Sequence, residues 1–302
     1  MKKFVNILLV LAAVVSLNTS CQKEDTPNEN ITIIVADQHE KTPFDYWLDQ
    51  NFVYPYNINF QYRYEVTESS LSYYTVPADY EQSIKLAHIV KYTCIDAYDE
   101  VAGIEFTRKF FPKHFFLIGE WEYKNNGTFI LGTAEGGKKI LLAGVNYLNE
   151  HLAGGASSLN HYYLKTIHHE FTHILNQTKD FPVTFSQITP TLYIVDDWSS
   201  TSENCYENGF ISRYARHSDR EDFAEMLSIY VTNTQETWDG YIESAGGINS
   251  VAGTAIDNKL KVVREYMMDT FDIDLDKLRS TILRREKEVV DGQVDLTSVE
   301  IY

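Results

Sequence analysis

From residue 42 onward the apolar positions switch between helical and strand periods. Residues 42–51 place Pro43 at a helix start and Phe44, Trp47 and Leu48 on one face, which predicts a short helix. Ile58, Phe60, Tyr62, Tyr64 and Val66 alternate along residues 57–66, which predicts a half-buried strand. Pro77 and Asp79 open a helix running to Ala102, with Ile84, Ala87, Cys94 and Tyr98 on one side. Three strands follow: 114–122, then 128–132 after the turn signal Asn126-Gly127, then 139–148 after Gly136-Gly137. A stripe of Leu164, Ile167, Phe171, Ile174 and Thr178 marks the next helix, which Ser157 or Ser158 would cap and Pro182 would follow. Another helix opens at Ser218 or Asp219, with Phe223, Met226, Leu227 and Tyr230 on its apolar face. Residues 236–242 read as a loop or helix end and Gly246-Gly247 as a break. Residues 254–271 and 275–290 read as closing helices, with Arg284, Arg285, Glu286, Lys287 and Glu288 as a solvated face. The economical arrangement is an α+β domain, a mixed sheet packed against the 79–102 helix and the helix of the Leu164 stripe.

The first forty residues follow different rules. Lys2 and Lys3 precede an apolar run from Phe4 to Val15, and Leu17-Asn18-Thr19-Ser20 lead to Cys21. A basic start, a short apolar core and small residues before a cut point predict a secretory leader over residues 1–20. The run is too short to span a bilayer comfortably. The cysteine at the cut point resembles a bacterial lipoprotein signal. Leu17 stands one place farther from Cys21 than that pattern has it, as in the looser signals of Bacteroidetes-type bacteria. The resemblance implies a lipid on Cys21 and a place in the outer membrane, and the acids that follow resemble a surface-export signal. Residues 21–40 are predicted to be a polar, acidic tether, and residues 41–302 the folded domain.

Composition narrows the partners. A net charge of −17 over 302 residues argues against nucleic acid held by phosphate contacts. None of the three cysteines forms a Cys-x-x-Cys pair, so a thiolate zinc site is not expected. Cys94 reads as a small core residue, and a Cys94–Cys205 disulfide stays open at this point.

The chemistry concentrates at His169-Glu170-Phe171-Thr172-His173. Two histidines four apart stand one turn apart on one side of a helix, so both imidazoles can reach one metal ion. They lie opposite the Leu164 stripe, so the helix can bury its apolar side and present them to a cleft. Glu170 sits where it can take a proton from water activated by the metal. Zinc needs a third protein ligand. Glu221 and Glu225 are four apart on the downstream helix and stack away from its apolar face. Such a pair can be merely solvated, but the chain offers no other matched ligand run.

Together, His169-Glu170-x-x-His173 and Tyr214 followed by Glu221-Asp222-Phe223-Ala224-Glu225 resemble the gluzincin pattern. The tyrosine-to-glutamate spacing is similar to that of the catalytic domain of anthrax lethal factor. A closer likeness, over most of the mature chain, is to the zinc-binding metallopeptidase lipoproteins of Bacteroidetes. These are also called substrate-import-associated zinc metallohydrolase lipoproteins, and Pro55-Tyr56-Asn57-Ile58 resembles their entry to the first long strand. The resemblance implies a zincin-like domain with a mixed sheet, a metal helix and C-terminal helices. It implies one Zn²⁺ held by His169, His173 and Glu221, with Glu170 as general base. Tyr214 would donate to the developing oxyanion, and Glu225 would accept a hydrogen bond from a ligand histidine. In zinc proteases of this type the sheet edge before the metal helix often takes an extended peptide, which points to residues 140–145. His217 could line the cleft.

Two function classes stay open on these grounds. One is a lipid-anchored zinc peptidase of the bacterial envelope acting on a peptide or protein substrate. The other is a non-catalytic binding or accessory lipoprotein of a nutrient-import complex that carries a zinc site.

Overall fold

The computed structural model describes residues 40–68, 73, 75–123, 129–130, 132–135 and 139–301. The leader, Cys21, nearly all of the tether and the turns at 126–127 and 136–137 lie outside them. Thr42–Tyr302 forms one unit.

Helix α1 (Pro43–Leu48) starts as its sequence predicts. Thr42 and Asp45 form a reciprocal capping box around Pro43, and Phe44, Trp47 and Leu48 are buried. The chain stays helical through a π turn (Asp49–Val53) and α2 (Tyr54–Tyr56). Strand β1 is only Asn59–Gln61, shorter than residues 57–66. Its partner among the described residues is the short β2, so the ladder ends early, and beyond it Tyr62 and Arg63 close onto Asp45 instead. Val66, expected on the buried side, is exposed.

Asp79 caps α3 (Tyr80–Val90) through the Gln82 amide. A π turn (Lys91–Ile95) joins it to α4 (Asp96–Ala102), which ends at Gly103. Ile84, Ala87, Cys94 and Tyr98 are all buried, as the stripe predicts. Helix α5 (Ile104–Phe110) leads to β2 (His114–Leu117), whose unbroken Phe115-Phe116-Leu117 run is buried. Such a run suits a strand covered on both faces.

The predicted strand 114–122 is interrupted after Leu117, and Glu122–Tyr123 forms β3, paired antiparallel with β4 (Phe129–Ile130). β5 (Gly132–Glu135) and β6 (Lys139–Leu142) complete the main sheet, in the order β1-β2-β6-β5. β1, β2 and β6 are parallel, and β5 is antiparallel to β6. Residues 140–145 are therefore not an edge: β6 lies inside the sheet and β5 takes the rim. β6 also stops well before residue 148. Gly144 adopts φ +71, and a Cβ there would fall 2.2 Å from the Trp121 ring, so the chain turns where only glycine fits.

Helix α6 (Leu148–Ala153) and α7 (Gly155–Leu159) precede a π turn (Asn160–Leu164) that runs into α8 (Lys165–Thr178). Ser157 and Ser158 lie inside α7 and cap nothing at the start of α8. After the short α9 (Val183–Ser186), a long loop leads to α10 (Asp219–Thr232). α10 is buried from Asp222 to Thr232, on every side and not only along the predicted stripe, because it packs against α8 and against α12 (Val251–Phe271) and α13 (Leu275–Val290). Residues 236–242 belong to a regular helix, α11 (Gln235–Ser244), capped by Thr234. In α13, Arg284 and Arg285 pair with Glu100 at the surface, but Glu286 is buried and faces Asn160. Cys94 and Cys205 are buried free thiols in separate clusters, so the open disulfide is not formed.

Candidate metal centre

α8 is fixed by its apolar side. Leu164, Ile167, Phe171 and Leu175 are buried, and Phe171 lies 5.0 Å from the Tyr98 ring and 4.9 Å from the Phe111 ring. Thr178, at the end of the predicted stripe, is exposed. With that side locked, the other side presents His169 (side chain 7% exposed) and His173 (20% exposed).

Glu221 arrives on the first turn of α10. Ser218 caps that helix by accepting from the Glu221 amide, which fixes where the carboxylate emerges. Glu221 Oε2 lies 3.0 Å from His169 Nε2 and 3.1 Å from His173 Nε2, and the two nitrogens are 3.1 Å apart. Among the described residues this is a grouping of three whose ligand atoms could share one ion. Hydrogen bonds alone do not explain the triangle. Each imidazole nitrogen has one in-plane proton or lone pair, yet each faces two partners. A cation at the centre satisfies all three atoms. Ligands about 2.0 Å from a tetrahedral zinc stand about 3.3 Å apart, close to the observed edges. Two imidazoles and a carboxylate are a donor set zinc accepts, with a fourth position left for water or substrate.

Behind the triangle, His169 Nδ1 is 2.8 Å from Glu225 Oε1. Glu225 is buried and meets Lys165 Nζ at 2.8 Å, and Ser212 Oγ donates to it at 2.7 Å. Burial alone would push the His169 pKa down, but Glu221 and Glu225 on either side raise it to about 9 in the metal-free site. Burial pulls the Glu221 and Glu225 pKa values upward, but His169 and His173 around Glu221, and Lys165 and His169 around Glu225, leave both carboxyls well below the usual range.

Tyr214 occupies a single 3₁₀ turn (Tyr214–Arg216), its ring 5.8 Å from that of His169. Burial, with Glu221 and Glu170 nearby, holds its phenol far above the usual pKa, so it stays a donor. Glu170 is half-buried, and its charge is felt at both His169 and Tyr214. Trp198 meets Tyr214 edge to face at 4.9 Å. His217 stands 5.9 Å from Tyr214, ring to ring, and 3.8 Å from Asp196.

Residues 37–276 match the model of a family described as "putative zinc-binding metallo-peptidase". The chain belongs to that family. It is also similar to the crystal structure of a "putative zinc-binding metallo-peptidase" from Bacteroides caccae ATCC 43185. Identity is 39%, the match covers 89% of this chain and 100% of that chain, and the TM-score is 0.74. No curated protein matches the chain.

Sequence reasoning missed several residues around the centre of this zinc-binding metallopeptidase family member. Lys165 is one turn before His169 on the same helix face, a spacing that could have flagged it. Ser212 carried no signal. Asp222, to which the motif gave no role, is fully buried and paired with Lys259 at 2.7 Å. His168, also buried, faces the Tyr98 hydroxyl at 3.3 Å on the side away from the triangle. Burial drops its pKa to about 3, so it remains neutral packing.

Proposed function

We propose that this protein is a zinc-dependent peptidase. The observation that carries the reading is the triangle of His169 Nε2, His173 Nε2 and Glu221 Oε2, with Glu170 and Tyr214 beside it. His169, His173 and Glu221 would hold the ion. When bound, zinc supplies Lewis acidity that makes a water molecule acidic near pH 7 and polarises the scissile carbonyl.

The protein's own groups do the rest. Glu170 takes a proton from the attacking water and delivers it to the leaving amine. Tyr214 donates a hydrogen bond to the oxygen on which negative charge develops. Glu225 holds the His169 ring so that Nε2 faces the triangle. The rim strand β5 is the place for an extended peptide, in place of residues 140–145.

The reading extends to the chain's setting. The leader pattern and Cys21 support a lipid-anchored, surface-exposed outer-membrane protein, and the family resemblance supports work beside a nutrient-import complex. Metabolic labelling with a palmitate analogue should mark the wild type and not Cys21→Ser.

The decisive experiment uses zinc-loaded protein and a peptide library read by mass spectrometry. Cuts abolished by a chelator and by Glu170→Gln, with zinc retained in that variant, are the expected result. A zinc-loaded wild type that cuts nothing leaves the accessory-protein reading standing.

A further inference from the structure

Asp222 and Lys259 are both fully buried, with Lys259 Nζ 2.7 Å from Asp222 Oδ2. Asp222 adjoins the ligand Glu221, and Lys259 comes from the middle of α12. The pair makes further contacts. Lys259 Nζ donates to the Gly209 carbonyl at 2.9 Å and sits 3.8 Å from the centre of the Phe210 ring. Tyr193 donates its hydroxyl to Asp222 Oδ2 at 2.9 Å.

The contacts with Gly209 and Tyr193 both lead to Tyr214. Gly209 lies five residues before it. Gly209 adopts φ +79, and a Cβ there would fall 2.9 Å from that of Ala255 on α12, so the backbone at Gly209 lies close against that helix. From there Phe210 and Ile211 are buried, and Ser212 bonds Glu225. On the far side, Ile194, next to Tyr193, donates its amide to the Arg216 carbonyl at 2.8 Å, two residues past Tyr214. The chain segments on both sides of Tyr214 are thus fastened to one buried ion pair, and that pair is covalently next to a proposed zinc ligand.

Stability alone does not call for such a pair. Well-packed apolar residues of similar volume often serve a core as well or better. What they cannot do is bind a carbonyl and a phenol in fixed directions. We infer that the Lys259–Asp222 pair is a positioning device that holds the Tyr214 turn at a fixed place relative to Glu221. This rests on the proposed role of Tyr214. Lys259 and Asp222 touch no substrate; they act through Tyr214.

Two measurements test it. The first needs no turnover: amide hydrogen exchange of the zinc-loaded chain carrying Lys259→Met with Asp222→Leu. Residues 193–194 and 209–217 should lose protection while α8 keeps it and zinc stays at one ion per chain. Unchanged protection in those segments overturns the inference, whether or not the protein is a peptidase. The second is a cycle with Tyr214→Phe on a cleaved peptide. The paired variant should lower kcat by about tenfold or more, up to the ~10²-fold expected for losing the donor itself, with KM little changed. In the Tyr214→Phe background it should add almost nothing. A full additional loss in that background overturns the inference and leaves the peptidase reading intact. Should the paired variant not fold, Tyr193→Phe removes one link and keeps the ion pair. It should raise exchange at 193–194 and 214–216 and lower kcat severalfold only when Tyr214 is present; no change in either measurement overturns the inference.

Discussion

His169 is gripped from both ends: its Nδ1 lies 2.8 Å from Glu225 Oε1 while its Nε2 lies 3.0 Å from Glu221 Oε2. The inner carboxylate favours a proton on Nδ1, so that an ion at the triangle would displace only the proton on Nε2 and take its lone pair. Glu225→Gln keeps the shape, removes the charge and leaves Lys165 facing the histidine uncompensated. Zinc affinity, read by competition with a chelating dye, should fall by about 10–100-fold. Unchanged affinity would show that Glu225 serves only to pack α10 against α8.

Tyr214 has a different signature. It is outside the triangle, so Tyr214→Phe should leave zinc stoichiometry and affinity unchanged. It should lower kcat by about 10²-fold, because the charge developing on the substrate oxygen in the transition state draws on the hydroxyl. Steady-state kinetics with parallel metal analysis checks this. An effect confined to KM would make Tyr214 a binding group.

Much of the centre was legible because it is local. His169, Glu170 and His173 lie on successive turns of one helix, and Glu221 and Glu225 on successive turns of another, so helical periodicity placed each set. Where the two sets meet depends on how α8 packs on α10, and the sequence offered only the resemblance for that. The stripes of Ile84 through Tyr98 and of Leu164 through Phe171 gave buried helix faces. Alternation misled at residues 57–66: Tyr64 and Val66 keep the period, but β2 is too short to pair with them. Asp222 and Lys259 lie 37 positions apart, and each reads as an ordinary surface charge until α12 folds over α10. Glu286 hid in the same way within a charge-rich run.

Cys94 and Cys205 are both free and buried. Burial pushes the Cys94 thiol up to about 12 and also raises that of Cys205. A reductant should therefore leave the urea midpoint unchanged. Iodoacetamide at pH 8 should label the peptides carrying these two residues only after denaturation, as read by mass spectrometry. Rapid labelling of Cys94 in the folded protein would mean that α3 and α4 open readily.

Glu286 should give the protein a pH-dependent stability of unusual sign. Its carboxyl is buried on α13, and burial raises its pKa from 4.5 to about 8, with the Asn160 amide at 3.0 Å opposing the shift. Asn160 also donates to the Thr232 carbonyl at 2.6 Å, so the contact joins the π turn before α8 to the end of α10. The folded state keeps the proton over a range in which the unfolded chain releases it. The stabilisation is therefore complete below about pH 4.5 and is lost as pH rises through about 8, at ~1.4 kcal/mol per unit within that window. Glu286→Gln cannot ionise and should remove this slope. Urea unfolding of both proteins at equal zinc load should show the variant gaining on the wild type by a few kcal/mol between pH 5 and pH 8. A constant difference across that range would mean that Glu286 is charged in the folded protein.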